Sequence, residues 1–259
     1  MSDRIHSTAV ISDSAKIAED VEIGAFCVIG DDVEIGRGTR IGSHVVISGP
    51  TTIGEDNRIY QFASVGDDPQ DKKYRDEPTK LFIGDRNTIR EYCTISRGTV
   101  QGEGFTRLGD DNWIMAYVHI AHDCIIGSQC IMANNATLAG HVTVGDYVIF
   151  AGFAGAHQFC KIGAHAFIGM YCGANRDVPA YLMVAGVPAI PRGINSEGLK
   201  RRGFDTDQLR NIKNAYRIVY RQRKKLQEAI AEIAVLAKDQ PELDIFLESL
   251  RSSERGVVR

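Results

Sequence analysis

A six-residue period of apolar side chains limits the folds open to this chain more than any other feature. Each sixth position from Ile5 to Val65 is Ile or Val, and the period resumes at Ile83 and again at Leu108. Helices and strands repeat apolar residues roughly every 3.6 and every two positions, so neither produces this spacing. The period predicts a parallel β-helix, in which each unit forms one short strand and a turn. Three units would close a triangular coil of about 18 residues, and residues one coil apart would stack at roughly 4.8 Å.

The period also predicts how the chain is divided. It is interrupted near residues 66–80 and 100–105, where we expect loops inserted into the solenoid. It fades in a proline-rich segment that ends at Pro191, and the sequence that follows is charged and amphipathic. We therefore expect two domains, a mainly β solenoid over residues 1–190 and a C-terminal α-helical domain over residues 191–259.

Three amphipathic helices are expected in the C-terminal domain. Asp205 stands where an N-cap is needed, directly before a helical repeat of apolar residues. Two further segments with helical spacing lie around residues 225–237 and 242–250.

Composition excludes several classes of partner and location. Thirty basic and 33 acidic side chains give a net charge of -3, so a general attraction to nucleic acid or to an anionic membrane is not expected. The longest uncharged apolar run is about ten residues, whereas a membrane-spanning helix needs roughly 20. The first residues, MSDRIHSTAVI, lack the apolar core of a signal peptide. We expect a cytoplasmic protein with no integral membrane segment.

The six cysteines share one position in the repeat, two residues before the large aliphatic side chain. They are Cys27, Cys93, Cys124, Cys130, Cys160 and Cys172. This position holds small inward-facing residues, so we expect reduced, buried packing residues rather than disulfides, metal ligands or nucleophiles.

Histidines collect in one part of the chain, since five of the seven lie between residues 119 and 165. Stacking by coils places segments 119–123, 137–141 and 155–159 above one another at one edge of the solenoid. The polar residues brought together there are His119, His122, Asp123, His141, His157 and Gln158. The other two histidines, His6 and His44, join no such cluster and are expected to be solvated surface residues.

Three kinds of function fit such a cluster. In acyl transfer, His122 would act as a general base and the Gly140 N–H would stabilise the oxyanion of an attacked thioester. In a zinc enzyme like the γ-class carbonic anhydrases, His119, His122 and His141 would hold the metal. A sugar-binding or scaffolding solenoid would do neither. Metal content separates the second from the first, and thioester consumption separates the first from the third.

Longer motifs favour the first of these. They are QDKKY (70–74), HIAHDC (119–124), NNATLAGHV (134–142), HQFC (157–160) and EGLKRRGF (197–204). Together they resemble the UDP-N-acetylglucosamine acyltransferases, which catalyse the first step of lipid A biosynthesis, and the resemblance extends over essentially the whole chain. It implies a left-handed parallel β-helix and a homotrimer with its site between subunits. It also implies transfer of an (R)-3-hydroxyacyl group from acyl carrier protein to the 3-hydroxyl of UDP-N-acetylglucosamine, without a metal or organic cofactor.

The resemblance implies a role for each matching residue. His122 would be the base for the sugar hydroxyl, Asp123 would orient it, and the Gly140 N–H would be the oxyanion donor. Other matching positions would bind the sugar nucleotide, the acyl chain and the phosphopantetheine arm. They are Asp71, Lys73, His119, His141, His157, Gln158, Asn195, Glu197, Arg201 and Arg202. The acidic carrier would dock on basic residues, for which the candidates are Arg201, Arg202, Arg221, Arg223, Lys224 and Lys225.

Two positions bear on substrate choice. At the position of Met170, family members that transfer long acyl chains look as if they have glycine, and those that transfer shorter acyl chains have methionine. The resemblance therefore implies a 3-hydroxydecanoyl donor. Ser96 stands where the family usually has histidine, before Arg97, Gly98 and Thr99. That imidazole would lie near the sugar nucleotide, so acylation of a 3-amino UDP-sugar stays open as an alternative.

Overall fold

The main body of the computed structural model, which describes residues 4–259, is a triangular prism of short parallel strands. Its first strands are β1 (Val10–Ile11), β2 (Lys16–Ile17), β3 (Glu22–Ile23), β4 (Val28–Ile29), β5 (Val33–Ile35), β6 (Arg40–Ile41), β7 (Val46–Ile47), β8 (Thr51–Ile53), β9 (Arg58–Ile59), β10 (Ser64–Asp67), β11 (Lys80–Ile83), β12 (Thr88–Ile89) and β13 (Thr94–Ser96). The remaining strands are β14 (Phe105–Leu108), β15 (Trp113–Ile114), β16 (His119–Ile120), β17 (Ile125–Ile126), β18 (Ile131–Met132), β19 (Thr137–Leu138), β20 (Thr143–Val144), β21 (Ile149–Phe150), β22 (Gly155–Ala156), β23 (Lys161–Ile162), β24 (Phe167–Ile168), β25 (Gly173–Ala174), β26 (Leu182–Ala185) and β27 (Ile190–Ile194).

Up to β25, every third strand belongs to the same face of the prism. Within residues 4–259, face 1 runs from β1 to β25 with nine strands, face 2 from β2 to β23 with eight, and face 3 from β3 to β24 and on to β26 and β27 with ten. The chain turns from one face to the next at three edges, which we call edges 1–2, 2–3 and 3–1. The fold is the parallel β-helix that the six-residue period predicts, and it has the left-handed sense that the family resemblance implies.

Strand register follows the predicted coil length except at the two inserted loops and in the last coil, where Phe167 pairs with Met183, 16 positions later. Val10 pairs with Val28, one coil of 18 residues later. Ser64 pairs with Thr94, 30 positions later, and Thr94 pairs with His119, 25 positions later. The first loop therefore lies between β10 and β11 and the second between β13 and β14. Both leave the prism at edge 1–2, because β10 and β13 belong to face 1 and β11 and β14 to face 2.

The interior of the prism is filled by the residues of the six-residue period. Ile29, Ile47, Ile89 and Ile120 are at most 1% exposed, as are all six cysteines. All six cysteines are unpaired, as the sequence predicts, and burial raises the pKa of the Cys93 thiol to about 11. Stacked aliphatic layers of this kind supply the hydrophobic stabilisation of the fold.

At the turns, the backbone repeatedly adopts a conformation that is uncommon for residues other than glycine. His44, Asp123 and His141 have φ values of 59°, 59° and 62°. The side chains at these positions point outward and stack on one another one coil apart. His44 is exposed, as expected, and its ring stacks between Phe26 and Phe62 at centroid distances of 5.1 Å.

The C-terminal segment closes one end of the prism. Strand β27 pairs with β26 in the antiparallel direction, which the sequence did not predict. The helices are α1 (Ser196–Arg201), α2 (Thr206–Tyr220), α3 (Leu226–Leu236) and α4 (Asp244–Arg251), with a 3₁₀ helix at Pro241–Leu243. Asp205 caps α2 and forms a capping box with Gln208. No helix among residues 4–259 is long and apolar enough to cross a membrane.

Helix packing against the prism joins the two regions into one hydrophobic core. The Tyr181 hydroxyl donates to the carbonyl of Glu242 at 2.7 Å, and the Ala180 N–H donates to the Ser249 hydroxyl at 3.0 Å. The chain end returns to the prism, where Val257 pairs with Asp177.

Candidate active site

A histidine and an aspartate lie side by side at edge 1–2, where β16 ends. The Nδ1 atom of His122 is 2.8 Å from Oδ2 of Asp123, and the two side chains are only 14% and 4% exposed. In the neutral imidazole, the proton on Nδ1 is donated to this carboxylate, which leaves Nε2 unprotonated. The pair therefore provides a general base whose tautomer is set by its neighbour.

Asp123 is held by two donors from one residue of the second inserted loop. The Thr99 N–H donates to Oδ1 at 2.9 Å, and the Thr99 hydroxyl donates to Oδ2 at 2.6 Å. Burial alone raises the pKa of Asp123, but the hydrogen bonds from His122 and Thr99 outweigh it and the pKa lies below its ordinary value. The carboxylate is therefore ionised at neutral pH.

Two further imidazoles surround this pair. Nε2 of His141 is 3.6 Å from Oδ2 of Asp123, and its ring stacks on Phe159 at 4.4 Å. Nδ1 of His119 is 2.7 Å from the Thr94 hydroxyl. Burial lowers the pKa of both imidazoles; repulsion from a protonated His122 lowers both further, while Asp123 opposes the shift at His141.

Gly140 lies one coil above His122, with its backbone against the imidazole. A Cβ atom at this position would be 2.5 Å from Cε1 and 2.7 Å from Nε2 of His122, so only glycine fits. Within residues 4–259, the Gly140 N–H has no hydrogen-bond acceptor. An unpaired N–H beside the basic nitrogen is suited to stabilise an oxyanion.

The other residues predicted for this edge are more exposed. His157 and Gln158 lie one coil beyond Gly140 and are both exposed, with Nδ1 of His157 3.3 Å from the Gln158 carbonyl. Asp71, on the first inserted loop, is close enough to raise the pKa of His141 against the larger effect of burial. The N–H of Lys73 donates to the Asp71 carboxylate at 3.0 Å.

Arg97 anchors the first inserted loop at this edge. Its guanidinium is buried and donates to the Gly66 carbonyl at 2.7 Å and to the Tyr74 hydroxyl at 2.9 Å, and it pairs with Asp68. Ser96, before it, is 4% exposed and lies beside Asp67. Arg97 thereby fixes the position of the loop that carries Asp71.

A second group of predicted residues lies at edge 2–3, at the start of α1. Asn195 caps this helix by accepting from the Gly198 N–H at 3.2 Å, and it donates to the His165 carbonyl at 2.9 Å. Arg202 lies with its guanidinium 5.0 Å from the Tyr147 ring centroid and 3.4 Å from Nδ1 of His165.

Glu197 and Arg201 are exposed on the same helix. The carboxylate of Glu197 pairs with Lys200 at 2.8 Å. One chain therefore brings His119, His122, Asp123, Gly140 and His141 together at edge 1–2, with Asp71 nearby. It keeps Asn195, Glu197, Arg201 and Arg202 at another edge.

Met170 lies at the third edge, 3–1. It is 60% exposed, so its side chain points out of the prism. Its Cε atom is 4.0 Å from where a Cβ on Gly152 would lie.

Sequence reasoning missed several residues that support the site. The sequence pattern predicts no separate role for Thr99 and Arg97, which only follow Ser96 in a family motif. It also predicts no role for Thr94 or His165. Thr94 and His119 are strand neighbours, but 25 positions separate them, so a regular coil length does not pair them. His165 lies one coil from Tyr147 and stacks on it at 4.8 Å, which the regular coil length could have revealed.

A group of atoms able to bind a metal is present, but it differs from the predicted zinc set. His122, Asp123 and His141 offer ligand atoms within 4.8 Å of one another. Asp123 takes the place that the zinc hypothesis gave to His119, whose Nδ1 is engaged by Thr94. The short His122–Asp123 hydrogen bond is the arrangement of a general base and its orienting carboxylate.

The β-helix and this base define a hexapeptide-repeat transferase, and comparison with known proteins agrees. A family model described as bacterial transferase hexapeptide (six repeats) matches residues 4–49 and 105–140. A second, described as UDP N-acetylglucosamine O-acyltransferase, domain 2, matches residues 177–258. A UDP-N-acetylglucosamine O-acyltransferase from Thiobacillus denitrificans is 57% identical over 255 residues, which cover 98% of this chain and 99% of the relative. The chain belongs to the UDP-N-acetylglucosamine O-acyltransferase family.

Solved structures of the same family superpose closely on the chain. The UDP-N-acetylglucosamine acyltransferase of Francisella novicida has a TM-score of 0.97 and 47% identity, with 98% of this chain and 94% of that chain covered. The UDP-N-acetylglucosamine O-acyltransferase of Moraxella catarrhalis has a TM-score of 0.98 and 45% identity, with 99% and 100% covered.

Proposed function

We propose that this protein transfers an (R)-3-hydroxyacyl group from acyl carrier protein to the 3-hydroxyl of UDP-N-acetylglucosamine, the first step of lipid A biosynthesis. The observation that carries the proposal is the His122–Asp123 pair beside the unpaired Gly140 N–H. It lies in a chain that is 57% identical to a relative named for this transfer. The same pair favours acyl transfer over zinc-hydroxide chemistry, because the base needs no metal.

We propose one atom of this chain for each step of the reaction. Nε2 of His122 removes the proton from the sugar hydroxyl while Nδ1 stays bonded to Asp123. The hydroxyl oxygen attacks the thioester carbonyl, and the Gly140 N–H stabilises the resulting oxyanion. The tetrahedral intermediate then collapses, the C–S bond breaks, and the leaving thiolate takes the proton from the imidazolium. The products are the 3-O-acyl sugar nucleotide and free phosphopantetheine thiol, and no metal or organic cofactor takes part.

The residues at edge 2–3 would hold the sugar nucleotide. Two guanidinium groups, Arg201 and Arg202, suit a diphosphate because their planar forks donate two hydrogen bonds to it. Asn195, the N-cap of α1, and Glu197, in its first turn, would face the nucleoside. On the other side of the reacting bond, His119, His141, His157 and Gln158 would position the sugar, the acyl chain and the phosphopantetheine arm, with Asp71 and Lys73 above them.

Because these two groups lie on different edges of one prism, we propose that the site is completed by a second copy in a homotrimer. Outward side chains of face 3 support such an interface. Consecutive strands place an apolar strip there, in the order Trp113, Ile131, Ile149, Phe167 and Met183. Trp113 is 44% exposed and Met183 is 37% exposed in the single chain. Contiguous exposed apolar surface of this kind is typical of protein interfaces.

Mixing two inactive variants tests the shared site. His122→Ala and Arg202→Ala each lack one half of the proposed site, so trimers assembled from both should regain part of the activity. Light scattering measures the oligomeric state in parallel. A monomer with full activity, or mixed trimers with no recovery, would contradict the shared site.

The carrier protein is acidic, and we propose that it docks on the basic segment after α2. The candidates are Arg221, Arg223 and Lys225 with Arg201, since Lys224 pairs with Glu232 and Arg202 is half-buried. Complementary charge of this kind speeds association and weakens as salt is added. Both substrates are water-soluble, and we propose a cytoplasmic location for the reaction.

The proposed reaction is tested with purified protein, UDP-N-acetylglucosamine and 3-hydroxyacyl carrier proteins of several chain lengths. Mass spectrometry should find one acyl group added to the sugar nucleotide, with one thiol released per transfer. An acceptor carrying a 3-amino group belongs in the same experiment, because Ser96 replaces the histidine usual in the family. A product from the amine alone would reassign the acceptor, and an absence of thioester consumption with either would contradict acyl transfer.

A further inference from the structure

The second inserted loop closes over the carboxylate of the base. Thr99, at its start, is 1% exposed. Its carbonyl accepts from the N–H groups of Gly102 and Gly104 at 3.1 and 3.2 Å, which fixes a tight turn directly after it. The Asp123 N–H donates to the Thr106 hydroxyl at 2.8 Å, on strand β14 directly after the loop. The loop and the strand that follows it therefore hold both the backbone and the side chain of Asp123.

We propose that Thr99 is a positioning residue that directs the Asp123 carboxylate to His122 rather than to His141. This inference rests on the proposed function, because it concerns the base of that reaction. Two imidazoles compete for one oxygen: Nδ1 of His122 is 2.8 Å from Oδ2, and Nε2 of His141 is 3.6 Å from it. The Thr99 hydroxyl binds Oδ2 and its N–H binds Oδ1, so the two donors fix the rotation of the carboxylate.

The physical consequence concerns the tautomer of His122. While the carboxylate accepts from Nδ1, the proton stays there and Nε2 stays free to act as a base. A carboxylate that is released can turn toward His141, and His122 then loses the partner that orients its ring. Small losses of alignment at a base are costly, since misplacement by about 1 Å can reduce turnover roughly a hundredfold.

The loop packs closely against the carboxylate and against the start of β14. A Cβ on Gly102 would clash with the Asp123 carboxylate, and one on Gly98 would clash with the Phe105 backbone. The titratable groups that face Asp123 are His122 and His141. Beyond these, His122 lowers the pKa of His119, and Asp71 raises the pKa of His141.

The test compares Thr99→Val with Thr99→Ser. Valine keeps the shape and removes the hydroxyl, whereas serine keeps the hydroxyl. We expect Thr99→Val to lose about tenfold to a hundredfold in kcat with KM nearly unchanged, and Thr99→Ser to keep most of the activity. Thr52→Val, on the exposed side of face 2, is the matched control and should behave like the unaltered protein.

A second measurement does not depend on activity. The proton between Nδ1 of His122 and Asp123 should give a downfield resonance in the proton NMR spectrum, assigned by its loss in His122→Ala. In Thr99→Val this resonance should shift or broaden over the pH range in which Thr99→Ser still shows it. A solely structural role for Thr99 would lower thermal stability without moving this resonance or separating kcat from KM.

The outcomes separate the two hypotheses. If Thr99→Val keeps full turnover and the resonance, or if Val and Ser variants lose turnover equally, the positioning role is wrong. If the unaltered protein transfers no acyl group, the proposed function is wrong, and the resonance still tests whether Thr99 holds the carboxylate toward His122.

Discussion

The coils before the first inserted loop and the coils after it share one interior and have different exteriors. In both regions the large inward side chains are apolar, as at Ile29 in the first and Ile120 in the second, each at most 1% exposed. On the outside of face 3, the first region carries Arg40 and Arg58, whereas the second carries Ile131 and Ile149 in the equivalent position. The six-residue rule therefore fixes the inner positions and leaves the outer ones free for function.

Edge 1–2 gives the same contrast in polar residues. In the first region, Ser12 and Ser14 bond to Asp31 in a small exposed network. In the second, the same edge carries His122 and Asp123, both nearly buried. The two inserted loops cause this difference in burial. They leave the prism at edge 1–2, at the start of the second region, and cover the side chains beside them. A regular solenoid thus gains a buried polar site where its regularity is interrupted.

Removing the imidazole of His122 should have the largest effect on turnover. We expect His122→Ala to lose about two to four orders of magnitude in turnover while the fold stays intact, as is usual for a positioned general base. Circular dichroism and steady-state kinetics measure both. His44→Ala, an exposed histidine of the first region, should keep full turnover.

Cys124→Ala serves as a second control for the base. Burial raises the pKa of this thiol to about 12, so it is inert at neutral pH and the variant should stay active. Near-normal turnover in His122→Ala, or stoichiometric zinc whose chelation abolishes activity, would contradict the mechanism.

The second largest effect on turnover is expected from adding one methyl group at Gly140. Gly140→Ala places a Cβ 2.5 Å from the His122 ring, which must then move from its position against the unpaired N–H. We expect kcat to fall about a hundredfold. Gly30→Ala, near edge 1–2 in the first region, puts its Cβ at an ordinary 3.4 Å from the nearest atom and should keep its activity. Equal losses in the two variants would mean that the effect is not specific to the site.

Acyl length should respond to Met170 by a moderate amount. We expect a preference for 3-hydroxydecanoyl over 3-hydroxymyristoyl donors, since the thioether would occupy space that a longer chain needs. Each buried methylene is worth about 0.8 kcal/mol, so Met170→Gly should shift the preference toward the longer chain by at least about tenfold. Competition between the two donors measures this shift. Val46→Ala, an exposed apolar residue of the first region, should leave the ratio unchanged, and an unchanged ratio in Met170→Gly would place the end of the groove elsewhere.

The smallest effect concerns stability at acidic pH. Burial, with the charge of Arg202, lowers the pKa of His165 from 6.5 to about 4. The unfolded chain therefore binds a proton that the folded chain does not, and stability is lost as pH falls from 6.5 toward 4. His165→Phe keeps the stacking with Tyr147 and Tyr181 and should lose less melting temperature between about pH 7.5 and pH 5. An equal loss of melting temperature in His165→Phe and in the unaltered protein would show that His165 does not cause the loss of stability at acidic pH.

The interior could be predicted from the sequence because the spacing of one residue type determines it. The coil length, the buried cysteines and the cap at Asp205 follow from period and local chemistry alone. The pairing of His122 with Asp123 and the position of Gly140 above it follow from the same arithmetic, since no insertion lies between them.

The remaining features depend on contacts that no period encodes. Thr99 reaches Asp123 only because its loop folds back on the edge, and the loop changes the coil length from 18 to 25 residues. The guanidinium of Arg97 has four partners, and all of them lie between 23 and 48 positions away along the chain: Gly49, Gly66, Asp68 and Tyr74. The reversal at β27 depends on the helices that follow it.

That reversal limits how far the solenoid can grow. A parallel β-helix is open-ended, because its last coil presents the same unpaired N–H and C=O groups that each earlier coil offers to the next. Here β27 pairs with β26 in the opposite direction, and the helices cover the end. On face 3, the strand that ends the described sheet therefore runs against the direction that a further coil would need. The antiparallel strand β27 therefore ends the parallel stacking of coils on this face. It also opposes end-to-end association of prisms into fibres.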